Sequence, residues 1–207
     1  PAASCAIHLV LAKLFRDRYN HAMAVAIILA GGSGTRFWPL STKEKPKQFL
    51  TLYGDRSMIQ HTYDRVKKIA NEILVVTPCS QAHLVEEHLP ELPKENIIGE
   101  VSAMDTAPAV LLGASTALQR YGDVPIAIFP ADHLIPDQEK FSSTLKIAIE
   151  ATESDKPFCL GIKPTRVETG YGYIEADGFG PVKSFKEKPD YDKANEMVES
   201  GNFFWNC

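Results

Sequence analysis

Val25-Ala26-Ile27-Ile28-Leu29-Ala30-Gly31-Gly32-Ser33-Gly34-Thr35-Arg36 is the stretch from which the rest of the chain can be read. Its first half is a continuous apolar run rich in branched side chains. Such a run suits a strand buried on both faces, as in a parallel sheet. Its second half carries three glycines, which let the backbone turn tightly and approach a ligand without Cβ clashes. Successive backbone N–H groups in such a turn point into a concavity that suits an anion. Arg36 closes the loop with a fixed charge able to bind phosphate oxygens. Two familiar phosphate loops are excluded. A Walker A loop needs GxxxxGK[ST], which is absent. The dinucleotide fingerprint needs a small residue at its third position, where this chain has Phe37. By themselves the glycines also fit a plain tight turn with no ligand.

Working outward, apolar runs alternate with amphipathic stretches. Strands are expected at residues 25–30, 73–77, 97–99, 126–129 and 158–162, and helices at 57–70, 81–88, 109–121 and 141–153. Ser57 suits an N-cap, and Pro108 suits the first turn of its helix. The alternation predicts an α/β domain with a mainly parallel central sheet. After Lys163 the pattern changes. Residues 170–175 and 182–187 read as strands joined by a glycine-rich turn, which predicts a small antiparallel insert. In open α/β sheets the ligand sits beyond the carboxyl ends of the strands. Weight therefore falls on residues 31–36 and 130–133 and, in the insert, on Glu187 and Lys188.

The chain has 207 residues, enough for one domain with a sizeable core. Its net charge of −4 argues against a nucleic-acid surface, so a polyphosphate would need locally gathered cations. The four cysteines are dispersed and form no CxxC pair, which disfavours a disulfide scaffold or zinc site and suits a reducing, cytoplasmic setting. The apolar run within residues 5–12 is too short to span a membrane. Residues 1–22 are expected to be an extension outside the fold, with Met23 as the natural start and residues 23–207 as the catalytic domain. The chain stops just after Phe203-Phe204-Trp205, which reads as a truncated C-terminus.

The family resemblance enters on LAGGSGTRFWPLS (29–41) followed by PKQFL (46–50). This joint motif resembles the signature of sugar-1-phosphate nucleotidyltransferases, and the form with Trp38 and PKQF is similar to the mannose-1-phosphate guanylyltransferase branch. The resemblance implies a Rossmann-like nucleotidyltransferase domain that makes GDP-mannose and pyrophosphate from GTP and mannose 1-phosphate, with Mg²⁺. It implies that the loop from Ala30 to Thr35 and Arg36 hold the triphosphate, and that Lys47 is the second catalytic cation. Two cations at one triphosphate are what the reaction needs, because both reactants are anions whose repulsion must be offset. Lys43 and Lys45 read as solvated surface charge.

Asp132 follows the fourth strand in FPADH, where a carboxylate is a natural hard ligand for Mg²⁺. Taken alone it is equally a helix cap or turn residue; the resemblance implies the metal role. The segment from Glu100 to Ala109 looks like the family's base-recognition run. Its TAPA, with Thr106 and Pro108, matches the family, but Met104-Asp105 replaces the usual Arg-Asn. Guanine presents two donors on one edge, so Glu100 or Asp105 could select it as acceptors. Asp105 as a simple helix cap remains the competing reading. The YG at Tyr171-Gly172, the EKP at Glu187-Lys188-Pro189 and the FxWN ending at Asn206 resemble the family's sugar-side motifs. They imply Glu187 on sugar hydroxyls, Lys188 on the 1-phosphate, Gly172 for close backbone approach and Asn206 on mannose. The family further implies a second metal carboxylate beyond Cys207.

The pair His83 and His88 imitates a zinc helix but is spaced five apart, which sets the rings about 140° apart. Three other functions compete with this reading. A glucose-1-phosphate enzyme using dTTP or UTP is disfavoured by PKQF, TAPA and FFWN. A non-catalytic nucleotide sensor should have lost Arg36, Lys47 or Asp132. An NAD-binding oxidoreductase fails at Phe37. No nucleic-acid or membrane partner is expected, and a homo-oligomer is compatible with the resemblance.

Overall fold

The computed structural model describes residues 24–32, 37–102, 105–150, 157–178 and 180–206. Residues 1–22, for which an extension is expected, lie outside them. The chain divides into two compact units between Phe158 and Cys159.

The first unit is an open α/β sheet. Its strands are β1 (Val25–Leu29), β2 (Glu72–Pro78), β3 (Ile97–Glu100) and β4 (Ile126–Pro130). They lie side by side in the order β3-β2-β1-β4, all parallel. The helices are α1 (Met58–Val66), α2 (Ala82–His88), α3 (Thr106–Tyr121) and α4 (Gln138–Glu150). Alternate residues of the strands, Val25, Ile27, Leu74, Val76, Ile126 and Ile128, form one buried face with Ala109, Ala114 and Ala117 of α3. Small side chains on that helix let it approach closely. A Cβ on Gly113 would meet Ile27 Cγ2 at 2.8 Å. On the opposite face Phe129 meets Phe141 of α4 edge-on at 6.1 Å. The N-terminus of α1 carries the expected cap at Ser57, whose N–H donates to Gln60 Oε1 at 2.9 Å in a capping box.

The second unit is a three-stranded antiparallel sheet in the order β6-β5-β7, with β5 (Gly172–Ala176), β6 (Val182–Lys186) and β7 (Phe203–Asn206). Helix α5 (Tyr191–Ser200) connects β6 to β7 and was not expected from the sequence. It opens on Asp190, which accepts from Lys193 N–H at 3.0 Å, and ends on Gly201 at φ 73°. Its small core is Tyr173, Ala194 and Trp205.

One expected strand is absent. Residues 158–162 form no ladder; Ile162 alone makes a bridge to Trp205, through reciprocal hydrogen bonds of 2.7 and 3.2 Å. Two residues on, Pro164 has no N–H with which to extend such a ladder. No helix among the described residues is long and apolar enough to cross a membrane.

Candidate active site

In the first unit the chain runs β1, β2, β3 in one direction and then returns to place β4 on the other side of β1. The carboxyl ends of β1 and β4 therefore face the switch point where such sheets bind ligands. The registers put Leu29 beside Pro130, and Ala131 N–H donates to Leu29 O at 3.0 Å. So the two loops that sequence marks, one after each strand, leave the sheet side by side.

The glycine turn starts from a fixed point. Ala30 N–H donates to Val76 O at 2.8 Å, and Ala30 O accepts from Thr77 Oγ1 at 3.0 Å and from Gln48 Nε2 at 3.1 Å. Beyond Ala30 the constraint ends: Gly31 and Gly32 are exposed, and Gly32 adopts φ 103°, which favours glycine. Ser33, Gly34, Thr35 and Arg36, with their expected phosphate contacts, lie outside the described residues. Gln48 and Thr77 are functional supports that sequence reading missed. Gln48 is also held by Gln81 Oε1 at 2.9 Å.

The PKQF run makes a single turn of 3-10 helix, Lys47–Phe49, and sends its side chains to different tasks. Gln48 goes inward to Ala30. Phe49 is buried against the His88 ring at 5.2 Å. Lys47 Nζ lies 3.0 Å from Asp132 Oδ2 and 4.8 Å from the centroid of the Phe37 ring. The expected catalytic cation and the expected metal carboxylate are thus in contact. Their side chains are 26% and 38% exposed, so the pair is worth about 1 kcal/mol at most and can be exchanged for other partners.

Glu100 ends β3 and is buried to 9% exposure. Its Oε2 lies 3.8 Å from where a Cβ on Gly31 would sit, so this acceptor carboxylate stands against the glycine turn. Asp105 occupies the residue before α3 at φ 65°, ψ −169°, and its side chain makes no capping hydrogen bond. The simple cap reading is therefore not what the structure shows. Thr106 and Pro108 are exposed in the first turn of α3.

The zinc decoy is accounted for within the same unit. His88 Nδ1 lies 2.9 Å from Ser57 Oγ and its carbonyl accepts from Gln60 Nε2 at 2.9 Å, while His83 is exposed. Burial pulls the His88 imidazole below its usual value, against the opposing influence of Glu87 and with that of Lys45.

In the second unit the sugar-side residues gather at one edge of the antiparallel sheet. Gly172 pairs with Asn206, and Tyr173 with Lys186, so the start of β5 and the ends of β6 and β7 coincide. Lys188 N–H donates back to Tyr171 O at 3.2 Å, and Lys188 Nζ pairs with Glu187 Oε1 at 2.8 Å. Lys188 adopts φ 42°, a left-handed conformation uncommon for lysine. The space a side chain on Gly172 would need is occupied by Phe185 Cζ and Glu187 Oε2, at 2.8 and 2.9 Å from the Cβ position. Tyr171 meets the Trp205 ring edge-on at 5.4 Å. All five expected sugar-side residues thus lie on one edge of the unit.

Residues 25–207 match the family described as nucleotidyl transferase. The chain is 39% identical over 193 residues to the alginate biosynthesis protein AlgA of Pseudomonas aeruginosa, covering 88% of this chain and 40% of that protein. It is 41% identical over 192 residues to the mannose-1-phosphate guanylyltransferase RfbM of Salmonella typhimurium, covering 87% and 40%. The chain therefore spans about 40% of the length of these curated relatives. A solved structure described as a mannose-1-phosphate geranyltransferase from Thermus thermophilus superposes with a TM-score of 0.82 at 33% identity, covering 89% of this chain and 55% of that one.

Proposed function

The chain belongs to the nucleotidyl transferase family, and from that premise we propose that it carries the substrate-handling elements of a mannose-1-phosphate guanylyltransferase. The reaction is transfer of GMP from GTP to mannose 1-phosphate, giving GDP-mannose and pyrophosphate, in the cytoplasm. The observation that carries the reading is the contact of Lys47 with Asp132 at 3.0 Å, beside the glycine turn at the switch point. The relatives named for this activity support the choice of sugar and nucleotide.

Asp132 fits Mg²⁺. It offers hard carboxylate oxygens, is partly exposed and already faces a cation it can exchange. Mg²⁺ takes one or two protein carboxylates and fills its shell with phosphate oxygens and water, so a single partly exposed carboxylate is a usable ligand. When bound, Mg²⁺ would neutralise charge on the triphosphate.

The protein's own groups do the rest by position and charge. The N–H groups of the glycine turn and Arg36 take the role of binding the phosphates. Lys47 leaves Asp132 for a phosphate oxygen as the nucleotide arrives. Glu100 or Asp105 accepts from the N1–H and N2 amino group of guanine, with Thr106 and Pro108 at the rim. Glu187 and Asn206 take sugar hydroxyls, Lys188 takes the 1-phosphate, and Tyr171 and Gly172 shape the same edge. An oxygen of the sugar phosphate then attacks the α-phosphorus. The bond from that phosphorus to the β-phosphate's bridging oxygen breaks, and pyrophosphate leaves with the electron pair. The nucleophile is already an anion, so no general base is needed.

The test is pyrophosphate release by the intact protein with GTP, ATP, UTP or dTTP, against mannose 1-phosphate or glucose 1-phosphate. GTP with mannose 1-phosphate should be preferred by at least about tenfold in kcat/KM, a difference of about 1.4 kcal/mol. Equal or better use of dTTP with glucose 1-phosphate would replace the assignment.

A further inference from the structure

Arg65 of α1 is a buried charge without a carboxylate. It is 2% exposed, and burial lowers its pKa to about 10 without abolishing the charge near neutral pH. Among the described residues no Asp or Glu pairs with it. Its contacts are Thr62 Oγ1 at 2.9 Å, His61 O at 3.4 Å, His133 O at 3.4 Å and the Phe141 ring at 5.4 Å. Burying a guanidinium on neutral partners is a weak way to stabilise a fold, since a well-packed apolar side chain of similar size often does as well or better. The contacts themselves indicate another use.

Two of the groups held are the carbonyls on either side of Asp132. Arg65 Nη2 donates directly to His133 O. The same nitrogen donates to Thr62 Oγ1, which donates in turn to Ala131 O at 3.3 Å. The backbone on either side of Asp132 is therefore tied to α1, His133 O directly by Arg65 and Ala131 O through Thr62, and Ala131 N–H is fixed to β1 through Leu29 O. The Asp132 carboxylate itself is left to face Lys47. A carboxylate that must bind a small, geometrically demanding cation gains most from such a support.

We propose that Arg65, acting with Thr62, is a positioning residue that holds the backbone of Asp132 in register for divalent-metal binding at the carboxyl end of β4. The inference rests on the reading of Asp132 as a metal ligand. Arg65 touches neither nucleotide nor sugar in this account; its effect passes through the two carbonyls. Lysine would not reproduce it, because one ammonium does not supply the two separated nitrogens with which Arg65 holds His61 O through Nη1 and Thr62 and His133 O through Nη2.

The experiment titrates Mn²⁺ into the intact protein with GTP bound, and reads free Mn²⁺ by electron paramagnetic resonance without sugar phosphate. The variants are Arg65→Met, Arg65→Lys, Thr62→Val and Asp132→Asn, with the double variant Arg65→Met/Asp132→Asn. Thermal melting of each is recorded alongside. Arg65→Met should weaken Mn²⁺ binding about tenfold, the lower end for removal of a ligand's supporting partner. Arg65→Lys should not restore it, and Thr62→Val should weaken it about threefold. In the Asp132→Asn background Arg65→Met should add nothing, because its effect runs through that carboxylate. If Arg65→Met does not fold, Thr62→Val decides. Mn²⁺ binding within twofold of wild type in the folded Arg65 or Thr62 variants overturns the positioning role while leaving Asp132 in place. An equal loss in both backgrounds overturns it too, by showing a general structural effect. Unchanged binding in Asp132→Asn itself overturns the metal-ligand reading and this inference with it.

Discussion

One methyl group added at Gly172 probes whether the sugar-side edge is built around Glu187. A Cβ there would stand 2.8 and 3.0 Å from Phe185 Cζ and Cε2, and 2.9 Å from Glu187 Oε2. Separations under 3.0 Å are not tolerated, so something must move. The backbone of β5 cannot yield easily, because it is the central strand, paired with β6 and β7. The side chains can: Phe185 is exposed, and Glu187 is 55% exposed. Stability should therefore fall only by the lower end of the overpacking range, about 1 kcal/mol. The functional cost should be larger. Ordinary contact begins near 3.4 Å, so the carboxylate must retreat by about half an ångström from its place beside the strand. A hydrogen bond to a charged group is worth about 1.5–3 kcal/mol. Losing most of it from a sugar hydroxyl predicts a fall of about 10–100-fold in kcat/KM for mannose 1-phosphate, with KM for GTP unchanged. Steady-state pyrophosphate release on the intact Gly172→Ala protein, with each substrate varied, measures both. A kcat/KM for mannose 1-phosphate within twofold of wild type would refute the role given to Glu187. An equal rise in both KM values would show general damage instead.

Lys47→Ala should leave the circular dichroism spectrum intact and lower turnover by about 10²-fold or more, the scale seen for a positioned charge-stabilising group. Near-normal turnover in a folded variant would remove Lys47 from the chemistry. Gly113→Ala drives a Cβ to 2.8 Å from Ile27 and 3.1 Å from Val76. Overpacking of about 1–3 kcal/mol, less up to about 1 kcal/mol gained in helix propensity, predicts net destabilisation and a melting temperature lower by several degrees; an unchanged or higher value contradicts the tight α3–sheet contact. His88 titrates below the ordinary histidine value of 6.5 in the fold because burial disfavours the cation. The unfolded chain then binds the proton more readily, so its stability contribution is complete above about pH 6.5 and is lost as pH falls through the lower folded value. Melting curves between pH 8 and 5 should show this loss, and His88→Phe should remove that component. A pH profile unaltered by the substitution would contradict it.

The four parallel strands were legible because each is a short apolar run between polar stretches, and burial on both faces demands that composition. Their order was not. An apolar run says that a strand is covered, without saying which strand covers its edges. The failure at residues 158–162 has the same root. A run of Phe158, Cys159, Leu160 and Ile162 looks alike whether it makes a full ladder or the single bridge from Ile162 to Trp205. Pro164 was the available warning. Helix α5 went unread although Ala194, Met197 and Val198, which pack into the core of the second unit, recur at helical spacing; the segment is short and otherwise polar. Its end signals, Asp190 before and Gly201 after, were present in the sequence and would have located it.

At the site, legibility follows charge. Asp132, Glu100, Glu187 and Lys188 could be singled out because a charged residue at or just after the end of a strand asks for an explanation, while Lys47 was marked by its PKQF motif. That Lys47 and Asp132 touch depended on β1 and β4 being neighbours, which only the topology supplies. The supports were invisible for a different reason. Gln48, Thr77, Thr62 and Arg65 all donate to backbone carbonyls or to each other, and every residue has a carbonyl, so no partner residue type betrays the contact. Arg65 was the hardest case. It lies in Gln60-His61-Thr62-Tyr63-Asp64-Arg65, a polar segment that reads as a solvated helix face, yet Thr62 and Arg65 are buried. A loop that aims a charge needs its peptide groups held from behind, and polar side chains do that at least cost when they are buried where water cannot compete. Such donors are to be sought on the helix that packs against the loop, at positions where the sequence pattern alone predicts solvent.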